Sequence, residues 1–151
     1  MKLVHVECKP DELLVSKLGF KRKLITHHQG KSRIFHSLGK TKNQLAIVDE
    51  DPGSIKTKYE SSLQFITESE GIIAYRDNSG NKVLVLKGKL EDWIIAVCKK
   101  YRIKILDFGL PDRPNDLHDV VNQRLDNFGR LLDELLKNNI QSLITLKEFL
   151  R

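Results

Sequence analysis

No run of apolar residues in this sequence approaches the roughly 20 that a membrane-spanning helix needs, which argues against a transmembrane segment. Cysteine is nearly absent: Cys8 and Cys98 are the only two. They lack metal-ligand spacing, and both read as reduced, part-buried thiols rather than a bridge. Internal repeats and low-complexity stretches are missing too, so neither a solenoid nor a disordered linker is expected. The apolar part of Met1–Glu7 is too short for a signal-peptide core and is interrupted by an acid, so a cytoplasmic protein is the expectation. What is present suits one soluble domain. The chain has 151 residues, 40% of them hydrophobic and 30% charged, enough to bury a real core. Its net charge of +6 comes from basic residues gathered in Lys17–Lys42, Lys56–Lys58, Lys82–Lys89 and Lys99–Lys104. Such a balance favours a polyanionic partner, nucleic acid above all, and equally suits a solvated basic face.

The apolar patterning predicts an α/β fold. Leu3–Val6 reads as a short strand. Pro10-Asp11-Glu12 opens a helix with inward Leu13, Leu14, Val15 and Leu18, ended by Gly19. Lys23–Thr26 reads as a second strand and Ser32–Leu38 as a second helix. Gln44–Val48 is a continuous apolar run, the mark of a strand buried on both faces. Strand, helix, strand, helix, strand implies a mostly parallel sheet with helices on both faces. Asp49–Gly53 reads as a turn and Ile55–Thr67 as polar and partly helical. Ile72–Tyr75 and Lys82–Leu86 flank the hairpin signal Asn78-Ser79-Gly80-Asn81. Leu90–Tyr101 is an amphipathic helix with Trp93, Ile94 and Val97 on its apolar face. After a Pro-containing linker over Gly109–Pro114, a helical pair is expected at roughly Asp116–Lys137 and Ile140–Leu150. The expected division is an α/β core over 1–108 and a helical extension over 109–151, packed on or beside that core within one compact domain.

In open α/β sheets, ligands bind outside the carboxyl ends of the strands. Two acidic signals fall there. Glu7 follows the first strand directly, and Asp49-Glu50-Asp51 follows the third. Turn chemistry alone accounts for many Asp-x-Asp pairs. The added strand-end glutamate shifts the balance toward a carboxylate site for a hard divalent cation, Mg2+ or Mn2+.

Two stretches resemble the motifs of Toprim domains. Val4-His5-Val6-Glu7-Cys8-Lys9-Pro10-Asp11-Glu12 resembles the first, an apolar strand, a glutamate and a polar turn into a helix. Leu45-Ala46-Ile47-Val48-Asp49-Glu50-Asp51-Pro52-Gly53 resembles the second, an apolar strand followed by Asp-x-Asp. The order and the intervening elements agree over the first half of the chain. The resemblance implies a Toprim-like (Rossmann-like) fold, Mg2+-dependent phosphodiester cleavage or transfer, metal ligation by Glu7, Asp49 and Asp51, and a general acid/base role for Glu7. It is nearest to the Toprim of overcoming-lysogenization-defect nucleases and the small ribonuclease-type maturases. Cys8 stands where that family usually has glycine, and its bulk narrows the backbone's approach to a phosphate. Leu90-Glu91-Asp92-Trp93 is similar to a Leu-Glu feature of compact stand-alone relatives, which makes Glu91 a fourth acid. The helix dipole by itself also favours an acid in that first turn.

Further candidates bind phosphate or nucleic acid. Gly30-Lys31-Ser32 ends like a P-loop, but Ile25 stands where the first glycine belongs, so no nucleoside triphosphatase is implied. The segment still starts a helix whose free N–H groups suit a phosphate. Lys9 and Arg33 join it as basic contacts. Lys87 and Lys89 follow a strand and could steady charge on a transferring phosphate. His27, His28 and His36 lack a metal-binding pattern, and His118 has no assigned role. Two other readings stay open. One is a non-catalytic module partnering an ATPase carried by another chain. The other, ranked below, is a strand-end acid site for a phosphorylated ligand in the manner of haloacid-dehalogenase-type phosphatases.

Overall fold

The computed structural model describes residues 2–151. Its elements run β1 (Val4–Val6), α1 (Lys9–Lys17), β2 (Ile25–His27), α2 (Lys31–Leu38), β3 (Leu45–Asp49), α3 (Lys58–Ser62), β4 (Gln64–Ser69), β5 (Ile72–Arg76), β6 (Lys82–Leu86), α4 (Leu90–Lys100), α5 (Pro114–Val120), α6 (Leu125–Lys137) and α7 (Gln141–Phe149). Among the described residues these make an α/β fold with one six-stranded sheet and seven α-helices. The strand order is β2-β1-β3-β6-β5-β4. Strands β2, β1, β3 and β6 pair in parallel, whereas β4, β5 and β6 form an antiparallel meander. No described helix is long and apolar enough to cross a membrane.

Alternation along the strands sends side chains to two unequal cores. Val4, Val6, Leu45, Ile47, Leu84 and Leu86 face the larger one, shared with α1, α4, α5, α6 and α7. The intervening residues Ala46, Val48 and Val83 face a small core closed by Ile34, Phe35 and Leu38 of α2. The C-terminal helices therefore complete the main core. Phe128, Leu131, Leu132, Leu143 and Leu146 are buried in the same cluster as β1 and α1. Asp133 of α6 pairs with Lys17 of α1 at 2.9 Å.

Three sequence expectations need correction. The strand expected over Lys23–Thr26 begins only at Ile25, because Arg22–Leu24 wind into a 3-10 turn with Leu24 N–H on Lys21 O at 2.8 Å. The polar stretch Ile55–Thr67 is partly helical as expected, but it ends in a strand that was not expected. Thr57 and Glu60 form a capping box that starts the five-residue α3, and β4 follows at once. Strand β4 escaped notice because it is an edge strand exposed along nearly its whole length, so it shows no apolar alternation. Its turn into β5 is short: Glu70 and Gly71 both have positive φ, 55° and 73°, as a two-residue hairpin requires. Finally, the expected C-terminal pair is three helices. The stretch Asp116–Lys137 is interrupted at Val121–Gln123, where β-branched Val120 and Val121 and then Asn122 favour helix poorly.

Candidate functional site

Chain direction reverses around β1. The connection through α1 carries the chain to β2 on one side, and the connection through α2 brings it back to β3 on the other. The two helices lie on opposite faces. Between the carboxyl ends of β1 and β3 this opens the crevice in which doubly wound sheets bind ligands.

The acids predicted for that edge do gather there. Glu7 comes straight off β1, and its Oε1 accepts the Asp49 N–H at 3.2 Å. Asp49 ends β3, and its Oδ1 accepts the Leu90 N–H at 2.9 Å, at the start of α4. Asp51 follows in a left-handed conformation with φ 48°, which aspartate tolerates better than most residues. Its N–H donates to Gly88 O at 3.3 Å, and Glu50 Oε1 accepts the Gly88 N–H at 3.1 Å. The turns after β3 and β6 are thereby knitted together. Glu91, one residue into α4, is buried at 5% exposure.

Two residues the sequence reading left without a role complete the cluster. Asp11, in the first turn of α1, is 2% exposed. Its Oδ2 accepts the Cys8 S–H at 3.1 Å, and its Oδ1 has no partner. His118 of α5 meets the buried Glu91, with Nδ1 to Oε1 at 2.5 Å. In the sequence Asp11 figures only in the Pro10-Asp11-Glu12 helix start and the Toprim-like stretch. Its position four residues after Glu7, in the first turn of the helix that follows, was the available hint. His118 carried no local signal, because the contact exists only once the C-terminal helices dock.

Electrostatics follow from this crowding. Burial raises the Glu7 carboxyl, opposed by the Asp49 N–H and reinforced by the Asp51 charge. Burial, then the charges of Glu7, Glu91 and Asp51, push Asp49 up to about 7. Asp11 is raised well above the usual carboxylate range by burial and then by Asp49. The Cys8 thiol is pushed far up by burial and then by Asp11, the acceptor of its S–H. Lys31 on α2 is a cation close enough to act on Glu7. Its Nζ donates to Asp49 O at 2.8 Å and pairs with Glu60 at 3.4 Å.

Other predicted residues are placed elsewhere. Lys87 is paired with Glu68 of β4 at 2.5 Å. Lys89 is exposed; its backbone N–H donates to Asp92 Oδ2 at 3.0 Å and its carbonyl accepts the Trp93 N–H at 3.0 Å. Neither lysine pairs with the acid cluster among the described residues. Gly30 caps α2. Ser32 and Arg33 are exposed and line a shallow concavity with His28 and His36, while Lys9 lines another with Glu12 and Arg22. The phosphate-binding candidates are thus spread around the crevice. The buried His5 and His28 bond ring to ring, His5 Nδ1 to His28 Nε2 at 2.7 Å, and His27 Nε2 lies 3.0 Å from Glu7 O.

Among the described residues, no three His, Cys, Asp or Glu side chains converge tightly enough to hold a metal ion as they stand. Glu7 is held by a backbone N–H and Glu91 by His118. Comparison with models of protein families, with curated proteins and with solved structures finds no match for the chain.

Proposed function

We propose that this protein is a Toprim-like, Mg2+- or Mn2+-dependent nuclease or phosphodiester-transfer enzyme acting on nucleic acid. The observation that carries the reading is the Asp11 carboxyl. It is buried and has one oxygen without any partner. It also lies close enough to Asp49, Glu7 and Glu91 for their charges to raise it. Burying mutually repelling carboxylates with an unsatisfied oxygen costs several kcal/mol, roughly, unless a cation is there to offset it. An all-oxygen donor set of this kind suits Mg2+ or Mn2+. Glu7, Asp11, Asp49 and Asp51 are the residues that would hold the ion, and Glu91, anchored by His118, stands beside them.

When bound, the ion would polarise a phosphodiester oxygen and lower the pKa of a coordinated water. The chain's own groups supply the rest. If Glu7 stands outside the ion's coordination, its carboxyl, raised by burial, can instead hand a proton to a leaving oxygen. Lys31, tied to Asp49 O, holds the turn after β3 in place and balances part of the negative charge. Lys9, Arg33 and the exposed Lys89 are free to take backbone phosphates of the polyanion that the net charge of +6 favours.

A second reading is a Toprim-like module that binds metal or nucleic acid without turnover, beside an ATPase supplied by another chain. One observation favours it: Cys8 occupies the position where the resemblance has glycine, and its thiol is already bonded to Asp11. Cleavage assays on plasmid and single-stranded DNA and on RNA with Mg2+ or Mn2+ separate the two. Glu7→Gln and Asp49→Asn are expected to abolish cleavage while leaving the circular dichroism spectrum unchanged. Cleavage that persists in both variants removes the catalytic assignment.

A further inference from the structure

The two faces of the sheet are unequally covered. On the α1 side the strands are buried in a core shared by five helices, α1, α4, α5, α6 and α7. On the other side α2 covers Ala46, Val48 and Val83, but the sheet continues past it. Register places Ile73 opposite Val85 and Tyr75 opposite Val83, on the same face. Of these, Val83 is fully buried, whereas Ile73, Tyr75 and Val85 are only half-buried, beneath the segment that carries α3. Between α2, that segment and the sheet lies a cavity of about 310 Å³. That is at the lower end of small-ligand sites.

The cavity has a definite chemistry. Its floor is apolar, made by Val48, Val83, Val85 and Ile73, and Phe35 and Tyr75 supply aromatic walls. Both aromatics are braced. Phe35 packs on Tyr59 with centroids 5.1 Å apart, and Tyr75 meets Phe65 edge-on at 6.2 Å. Tyr59 is itself pinned through its hydroxyl, which donates to Asp77 Oδ2 at 2.7 Å. The rim carries Glu50, Asp51 and Glu60 together with Lys31 and Lys56. Glu60 pairs with Lys31 at 3.4 Å and Glu50 Oε1 accepts the Gly88 N–H, so Asp51 is the rim carboxylate best placed to accept from an amino group. Asp51 belongs at once to this rim and to the acid cluster, where its charge raises Glu7 and Asp49.

We propose that this cavity receives the base of an unpaired nucleotide whose phosphate lies at the acid cluster. The proposal rests on the nucleic-acid reading of that cluster and names its substrate: single-stranded or flipped-out nucleotides, with a purine or cytosine amino group turned to the rim. A flat ring that is apolar on its faces and polar at its edge fits an aromatic-walled slot with carboxylates at the mouth. A base held in a duplex stack cannot enter without leaving the helix.

The test uses the whole protein, with adenosine 5′-monophosphate and ribose 5-phosphate as probes. Two readouts are recorded separately: Mn2+ binding by water proton relaxation, and nucleotide binding by amide chemical-shift changes with diamagnetic Mg2+ in place of Mn2+. Adenosine monophosphate is expected to shift Ile73, Tyr75 and Val85 and to bind about tenfold or more tightly than ribose 5-phosphate. Ile73→Trp, which fills the cavity, is expected to erase that advantage without changing Mn2+ affinity. Equal affinity for the two probes, or shifts confined to residues outside the cavity, overturns the base pocket even where Mn2+ still binds. Nucleotide binding in the cavity without Mn2+ binding supports the pocket and overturns the metal reading instead. The shift map is made on the unmodified chain, so the result stands even if the tryptophan variant does not fold.

Discussion

Replacing Asp49 by asparagine should make the metal-free protein more stable and the metal-loaded protein less so. In the folded chain the Asp49 proton is held up to about 7 by burial and then by Glu7, Glu91 and Asp51. An unperturbed aspartate titrates near 3.9. The folded state therefore binds a proton that the unfolded state has already released. Stability is fully present below about pH 4 and falls as pH rises toward 7. At about 1.4 kcal/mol for each pH unit, the loss above pH 7 is about 4 kcal/mol as an upper bound, because the neighbouring acids share it. Asparagine keeps a carbonyl oxygen for the Leu90 N–H and carries no charge. Urea unfolding in EDTA at about pH 8 should show Asp49→Asn more stable by about 1–4 kcal/mol, with the gap closing near pH 4. Adding Mn2+ should raise the midpoint of the parent chain and leave the variant unmoved, since ligand binding stabilises only the state that holds it. A variant that is less stable than the parent in EDTA at both pH values would refute the reasoning, because the carboxylate would then be a net contributor to the fold.

Other outcomes test neighbouring claims. His118→Ala should weaken Mn2+ binding by about 10–100-fold, as loss of an orienting partner typically does, with little change in thermal midpoint because His118 is largely exposed. Asn81→Ala should cost about 2–4 kcal/mol in urea unfolding. The side chain is fully buried, donates to Leu38 O and Thr41 O at 2.9 Å each, and accepts the Gln44 N–H. Gly88→Ala should destabilise by about 1–3 kcal/mol. Gly88 has φ 76°, and an added Cβ would lie 2.8 Å from the Asp92 Cβ. The same change should also loosen the turn that holds Glu50 and Asp51, visible as weaker Mn2+ binding.

Much of the scaffold is legible in the chain because it is locally encoded. Strand β3 is a run of buried apolar residues with a turn after it, and α4 carries its apolar stripe at helical spacing. Once β1 and β3 are parallel neighbours, Glu7 and Asp49 must share an edge, so the heart of the acid cluster follows from the order of elements. Strand β4 was hidden because an exposed edge strand needs no apolar alternation. Tertiary structure alone decided the rest. Asp11 looks like any helix-opening acid until packing removes water from it and leaves Oδ1 unpartnered. His118 reaches Glu91 only when α5 docks on α4. The cavity exists because α2 is too short to cover the sheet that the β4–β6 meander extends. Local sequence determines which residues form strands and where each strand ends. Desolvation, charge crowding and uncovered surface depend on what packs against those ends, and that is set by contacts between residues distant in the chain.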